Sequence, residues 1–291
     1  MIKTILVPLA GTAADQPVLT QAASFARPFR AHLECVHVRP DKGYLLNLAA
    51  TNALGVGVEP NVGEILDELE KGARERADSA LKTFEKFFQG DDVQFANSPP
   101  TTGMSASFTE RSGDQIEVLI HELRGHDLGI VPGGGVKGGL RAAEAAQLLA
   151  AGGRPLVLTP SEYKRTEFDT VVIAWKPTPE ASRALSAAIE LIKQASNVVI
   201  ATAAEGGYDA GKDATDNILS YLNWHGVNAT VREVLPAGRA ASEAVLEAAK
   251  EMRADLLVMG AYGRGRLSEI IFGGFTQQVL GRTDLPVFLL H

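Results

Sequence analysis

The residues with the clearest capacity for chemistry lie near the C-terminus. Met259-Gly260-Ala261-Tyr262-Gly263-Arg264-Gly265-Arg266-Leu267 follows an apolar run, and after a short link Ile271-Phe272-Gly273-Gly274-Phe275-Thr276 opens an amphipathic stretch. Glycine lets backbone N–H groups come close to an anion and adopts positive φ without penalty. A helix starting near Gly274 adds unpaired N–H donors and the positive end of its dipole. Arg264 and Arg266 supply charge. Such a loop suits a di- or triphosphate lying at the strand ends of a doubly wound sheet. The competing reading gives these glycines only a tight turn that lets helix and sheet pack.

The same region of the first half, Pro132-Gly133-Gly134-Gly135-Val136-Lys137-Gly138-Gly139, is also glycine-rich. No glycine follows at the corresponding distance, and residues 141–150 run on as an alanine-rich helix. Lys137 at a helix start could hold an anion weakly, but the segment reads as a flexible turn. His121, Glu122, His126 and Asp127 form a short cluster whose spacing does not put two metal ligands on one helical face. His32, His37, His225 and His291 show no partner pattern and read as surface or strand-end residues. Cys35 falls in an apolar strand and reads as a small buried group. Ser105, Ser107 and Ser112 sit in a stretch that reads as irregular, and nothing resembles a nucleophile elbow. Trp175, at a strand end, either stacks on a base or simply packs.

Elements that could position these residues recur twice. In the first half, strands are expected over 3–9, 33–38, 93–96, 128–132 and 155–159. Helices are expected over 16–29, 64–89, 114–123 and 140–151, with a loose loop over 41–63. In the second half, strands are expected over 170–174, 198–202, 228–234, 256–260 and 286–290. Helices there cover 180–194, 210–225, 240–253 and 274–281. Alternating strands and helices with short links imply right-handed crossovers and a parallel sheet. Three pairs of segments recur in the same order, which points to duplication. Thr4-Ile5-Leu6-Val7 matches Thr170-Val171-Val172-Ile173; His126-Asp127-Leu128-Gly129 matches Ala254-Asp255-Leu256-Leu257; Arg154-Pro155-Leu156-Val157 matches Leu285-Pro286-Val287-Phe288. Two α/β domains, 1–160 and 169–291, joined by a polar linker over 161–168, are the expected organisation.

Gly260, Gly263 and Gly273, spaced as glycine, two residues, glycine, nine residues, glycine, resemble the ATP-binding signature of the universal stress protein family. Asp255-Leu256-Leu257-Val258-Met259-Gly260 and Leu285-Pro286-Val287-Phe288-Leu289 are similar to that family as well. The resemblance covers essentially the whole chain as a tandem, two-domain member. It implies two doubly wound domains, each with a five-stranded parallel sheet of order 3-2-1-4-5 flanked by helices. Family members often pair through the fifth strand, so it also implies a pseudo-dimer within one chain and allows a homodimer. ATP or a related adenine nucleotide is the implied ligand, in the C-terminal domain only. Gly260, Tyr262, Gly263, Arg264, Gly265, Gly273, Gly274, Phe275 and Thr276 would hold phosphates and ribose; Ala174, Trp175, Lys176 and Met259 would flank base or sugar. Two positions depart from the family pattern. Gly274 stands where a serine or threonine usually follows the third glycine, and Ala174-Trp175-Lys176-Pro177 replaces a strand end that is usually acidic.

Composition narrows the remaining choices. The chain has 291 residues, 45% hydrophobic and 22% charged, in the range of soluble globular proteins. A net charge of −7 with 28 dispersed Lys and Arg argues against a nucleic-acid surface. One cysteine rules out an internal disulfide. The start runs directly into a strand pattern without a signal-like core, and no apolar run reaches membrane-spanning length. A cytoplasmic stress-response protein is expected, acting by binding and signalling, with at most slow hydrolysis because no residue is an obvious base for activating water. A second reading is an interaction module with both sites decayed that binds a protein partner. A third, an enzyme consuming the nucleotide, lacks a positioned nucleophile or paired carboxylates.

Overall fold

The computed structural model describes residues 1–54, 62–89, 93–96, 103–133, 138–160, 168–203, 212–236, 238–261, 276, 279–280 and 284–291. The first half contains β1 (Thr4–Pro8), α1 (Asp15–Ala26), β2 (His32–Arg39), α2 (Lys42–Leu54), α3 (Val62–Phe88), β3 (Gln94–Phe95) and β4 (Ser105–Ser112). It continues with α4 (Gln115–Leu123), β5 (Leu128–Pro132), α5 (Ala142–Gly152) and β6 (Leu156–Thr159). The second half contains β7 (Thr170–Ala174), α6 (Pro179–Ile192), β8 (Asn197–Ala203), α7 (Lys212–Trp224) and β9 (Ala229–Val234). After these come α8 (Ala241–Glu251), β10 (Leu256–Gly260) and β11 (Val287–Leu290).

All strands join one eleven-stranded sheet in the order β3-β4-β2-β1-β5-β6-β11-β10-β7-β8-β9. Within each half every pairing is parallel. The halves meet where β6 and β11 pair antiparallel, with Val157 opposite Phe288 and Leu156 opposite Leu289. Buried alternate residues then feed two apolar layers that cross the junction. Ile5, Val7 and Phe25 share one layer with Val171, Leu185 and Phe288. Leu6, Leu119 and Leu148 share the other with Val172, Val245 and Val287. The Phe25 and Phe168 rings, from opposite halves, lie 4.4 Å apart between centroids.

The repeated segments have a structural cause. Asp127 accepts from the N–H groups of Lys3 and Thr4 at 2.7 and 3.1 Å, tying the start of β5 to the start of β1. Asp255 does the same in the second half, accepting from Asp169 and Thr170 at 3.0 and 2.9 Å. Gly129 donates to the Pro155 carbonyl and Leu257 to that of Pro286, both at 3.0 Å. The matched Asp-Leu and Pro motifs are therefore the clamps that set strand register.

Three expectations are corrected. Residues 42–54 form the helix α2, which packs on α3, where a loose loop was read. The serine-containing stretch is the strand β4, paired with β2 along eight residues. Its polar side chains hid it: Ser105 and Ser107 are buried, but His32 satisfies both, at 2.8 and 3.0 Å. Residues 94–95 give only the short outer strand β3, so β4 takes the third-strand place in the first half. The linker expected over 161–168 lies outside the described residues except for Phe168.

The buried Asp255 holds two backbone N–H groups. Asp255→Ala should cost about 2–4 kcal/mol by urea unfolding, the range for losing two charge-assisted hydrogen bonds. Asp127→Ala, at a more exposed start of β1, should cost about half as much.

Candidate functional site

The sheet order reverses between β7 and β10 in the second half and between β1 and β5 in the first, the points where doubly wound sheets open a crevice at their strand ends. Ala174 and Met259 are register partners across the β7–β10 reversal, so the structure brings them together. Met259 is buried on the α8 face, whereas Trp175 packs on the α6 face against the layer that includes Ala181 and Leu185. The two therefore cannot flank the same side of a ligand. Trp175 is 6% exposed, and among the described residues its indole N–H has no acceptor. Lys176 is exposed; Thr276 is buried in helical conformation. Tyr262, Gly263, Arg264, Gly265, Gly273, Gly274 and Phe275 lie outside the described residues, as do Gly134 to Lys137 in the first half.

The two halves can be laid over one another residue by residue. Leu9 donates to Val36 as Trp175 donates to Ala201, each at 2.9 Å. Val18, Leu19, Ala22, Phe25 and Ala26 of α1 are buried at the same places as Ala184, Leu185, Ala188, Leu191 and Ile192 of α6. On this register Asp15 corresponds to Ala181, and Ala10 and Gly11 correspond to Lys176 and Pro177. Gly133 donates to Thr159 as Ala261 donates to Leu290, so Pro132 corresponds to Gly260.

These substitutions make the two crevices different. In the first half the Asp15 carboxylate accepts from the N–H groups of Ala10 and Gly11, both at 2.8 Å. Asp15 is fully buried. Burial pushes its carboxyl above the ordinary range, against the pull of the N–H groups of Ala10, Gly11 and Thr12 and the charge of His37. The strand-end amides are thus already taken by an anion of the protein's own. The backbone of α3 covers the turn as well: a Cβ at Gly11 would lie 2.1 Å from the Arg76 carbonyl oxygen. Positive φ at Gly11 (72°) completes the requirement for glycine there.

In the second half, among the described residues, no carboxylate fills that place, because Ala181 stands in it. Thr178 caps α6 by accepting from Ala181 N–H at 3.3 Å, with Pro179 in the first turn. The start of α6 lies directly on Gly260, where a Cβ would fall 2.5 Å from the Ala181 nitrogen. Gly260 therefore has a packing role, and the Pro132 ring would not allow the same approach in the first half.

His37 departs from the surface reading. His37 is buried, with Nδ1 2.8 Å from the Leu9 carbonyl oxygen. His126 turns away from exposed His121 and meets Glu34, a partner far away in sequence, at 3.2 Å, with its other ring nitrogen 2.7 Å from the Glu122 carbonyl. Strand pairing of β2 with β1 creates this contact, and only a correct topology could have revealed it. Cys35 is fully buried, and burial pushes its thiol well up, so it is an inert apolar group as expected. Among the described residues of the first half, clefts open beside α3. One, about 530 Å³, lies between α1 and α3 and is lined by Thr12, Gln16, Glu75, Asp78 and Lys82. Another, about 280 Å³, lies between α2 and α3, beside Arg39, Lys42, Glu70, Arg74 and Ser112.

Comparison with known proteins agrees with this architecture. The sequence profile of the universal stress protein family matches residues 167–291. A universal stress protein of Archaeoglobus fulgidus is similar over 99% of this chain and 97% of its own, at 17% identity and a TM-score of 0.69. A protein of Pseudomonas aeruginosa UCBPP-PA14 ascribed to the same family covers 99% and 93%, at 16% identity and a TM-score of 0.56. A functionally unknown protein of Pseudomonas aeruginosa PAO1 covers 99% and 92%, at 15% identity and a TM-score of 0.52. No protein of curated function matches the sequence. Among the described residues no helix is long and apolar enough to cross a membrane.

The His126–Glu34 contact gives stability a pH signature. Burial pulls the His126 imidazole down, but the Glu34 hydrogen bond, the Glu122 carbonyl and both carboxylate charges outweigh it, leaving His126 above its usual range. The hydrogen bond from His126 holds Glu34 below the carboxylate range. The His126 contribution is present in full below about pH 6.5, the unfolded histidine value, and fades as pH rises through the raised folded value. The Glu34 contribution is present above about pH 4.5 and fades as pH falls through its lowered value. Glu34→Gln should therefore cost most, about 1–2 kcal/mol, near pH 5.5, and clearly less at pH 9, by urea unfolding.

By sequence, the C-terminal half of this chain, residues 167–291, belongs to the universal stress protein family, and the whole chain has the fold of universal stress proteins solved over this length.

Proposed function

We propose that the protein acts in stress response by binding ATP or a related adenine nucleotide at the C-terminal ends of β7 and β10, as one of two units, 1–160 and 169–291. The difference between the two crevices carries this reading. In the first half Asp15 occupies the strand-end amides; in the second, Ala181 stands in the corresponding place, and among the described residues no carboxylate reaches it. A polyanion entering the first crevice would meet that buried carboxyl and the α3 backbone; at the second it would meet the start of α6, with its dipole, and Lys176. The indole N–H of Trp175, buried and among the described residues without an acceptor, lies at the end of the same strand. The glycine pattern through Gly263 and Gly273 supports phosphate contacts there. Nucleotide binding in a cytoplasmic setting would act as a signal, with turnover slow at most.

The packing of Gly260 under α6 and of Trp175 in the core favours a second reading, an interaction module without a nucleotide. Calorimetric titration with ATP separates the two. The first reading expects one site per chain, about tenfold weaker in Arg264→Ala and lost in Gly263→Val, with Lys137→Ala within twofold of wild type. No heat of binding up to millimolar ATP would leave the module.

A further inference from the structure

The outer edge of β9 ends the sheet, and among the described residues no strand pairs with it. In the first half the corresponding place is held by β4, and there the edge is extended: β3 adds to it, with Gln94 donating to Met104 and Ala96 to Ala106, both at 3.2 Å. This position in the fold thus accepts a further strand. Exposed apolar side chains also flank and punctuate β9 in sequence. Trp224, at the end of α7 just before β9, is 88% exposed; Val231, in the middle of β9, is 43% exposed; Leu235, just past its end, is 71% exposed. Val231 pairs in register with Ile200, which belongs to the layer under α6 and α7, so Val231 faces the α7 side.

The layout is self-complementary. Two copies of β9 extending one sheet antiparallel would be related by a two-fold axis normal to the sheet, which keeps faces and sets residues of equal parity opposite each other. Centring the axis on Val231 places Val231 against its own copy and Arg232 against Thr230. Glu233 then lies against Ala229, and no like charges stand opposite. Arg232 keeps its in-chain ion pair with Glu251, at 2.7 Å. Because Trp224 flanks the start of β9 and Leu235 follows its end, the same axis brings each Trp224 towards the Leu235 of the other copy. Two indoles closing in this way would bury about 300–500 Å² together. A foreign strand has no reason to match an arrangement with apolar groups at both ends and a valine at the centre; a second copy matches it twice.

We propose that the chain dimerises through the outer edge of β9, forming a continuous sheet across two copies with Trp224 and Val231 as its apolar contacts. The test is sedimentation equilibrium of the full chain over about 1–200 μM, beside a disulfide probe. Wild type should show a concentration-dependent dimer. Trp224→Glu, at a side chain exposed enough to spare the fold, should weaken dimerisation at least tenfold with an unchanged thermal transition. Val231→Cys should crosslink to dimer on mild oxidation, because Cys35 is buried and the axis sets residue 231 against its own copy; Leu235→Cys should not. A monomeric wild type at 200 μM would overturn the proposal. So would a wild-type dimer that Trp224→Glu leaves intact, or one in which Val231→Cys fails to crosslink.

Discussion

The antiparallel pairing of β6 with β11 is the contact on which the architecture depends. Every other strand pair is parallel and closes within its own half, so without this seam the chain would be two small sheets on a tether. With it, Val157 and Phe288 enter one apolar layer while Leu158 and Val287 enter the other, and both layers become continuous across the molecule. Parallel strands need both faces covered, and the seam lets helices from each half share that task. It also fixes the relation of the two crevices. A near two-fold through the seam turns the strand ends of one half opposite to those of the other, and keeps α1 and α6 on the same face.

A shared scaffold has diverged at the positions where a ligand would sit. The clamps that set register are retained: Asp127 and Asp255 hold the first strand of each half in the same way. At the strand ends the chemistry separates. Asp15 and Pro132 occupy one crevice; Ala181 and Gly260 line the other. A buried carboxylate that takes two backbone N–H groups does locally what a bound phosphate would do, so the first turn is held in shape without a ligand. Among the described residues the second turn has no such internal carboxylate, because Ala181 stands where Asp15 stands in the first half. The frame is thus kept twice, while the residues at the two strand ends differ.

Much of this was legible in the sequence, for identifiable reasons. β1, β5, β7 and β10 are short, continuous apolar runs because both faces are buried, and α4 announces itself through Asp114, whose side chain accepts from Ile116 and Glu117 at 3.0 and 2.9 Å. β4 was missed because its serines are satisfied by His32, a partner brought in only by strand pairing. α2 was missed because its glycine and two asparagines look like a loop, while packing against α3 decides its state. At the site, Gly260 reads by sequence either as a phosphate-loop glycine or as a packing glycine, and the structure shows the α6 backbone lying where its side chain would be. Trp175 could stack or pack by sequence alone; parity along β7 put it on the core side. Asp15 carried no signal at all, since its role follows from where α1 begins over the β1 turn.

The asymmetry of the two crevices is most directly tested by backbone amide NMR of the full chain during ATP addition. The account predicts saturable shifts at Lys176, Thr178, Ala181 and Gly260, with Ala10, Gly11 and Thr12 unmoved. Shifts of equal size at both strand ends, or at the first alone, would contradict it.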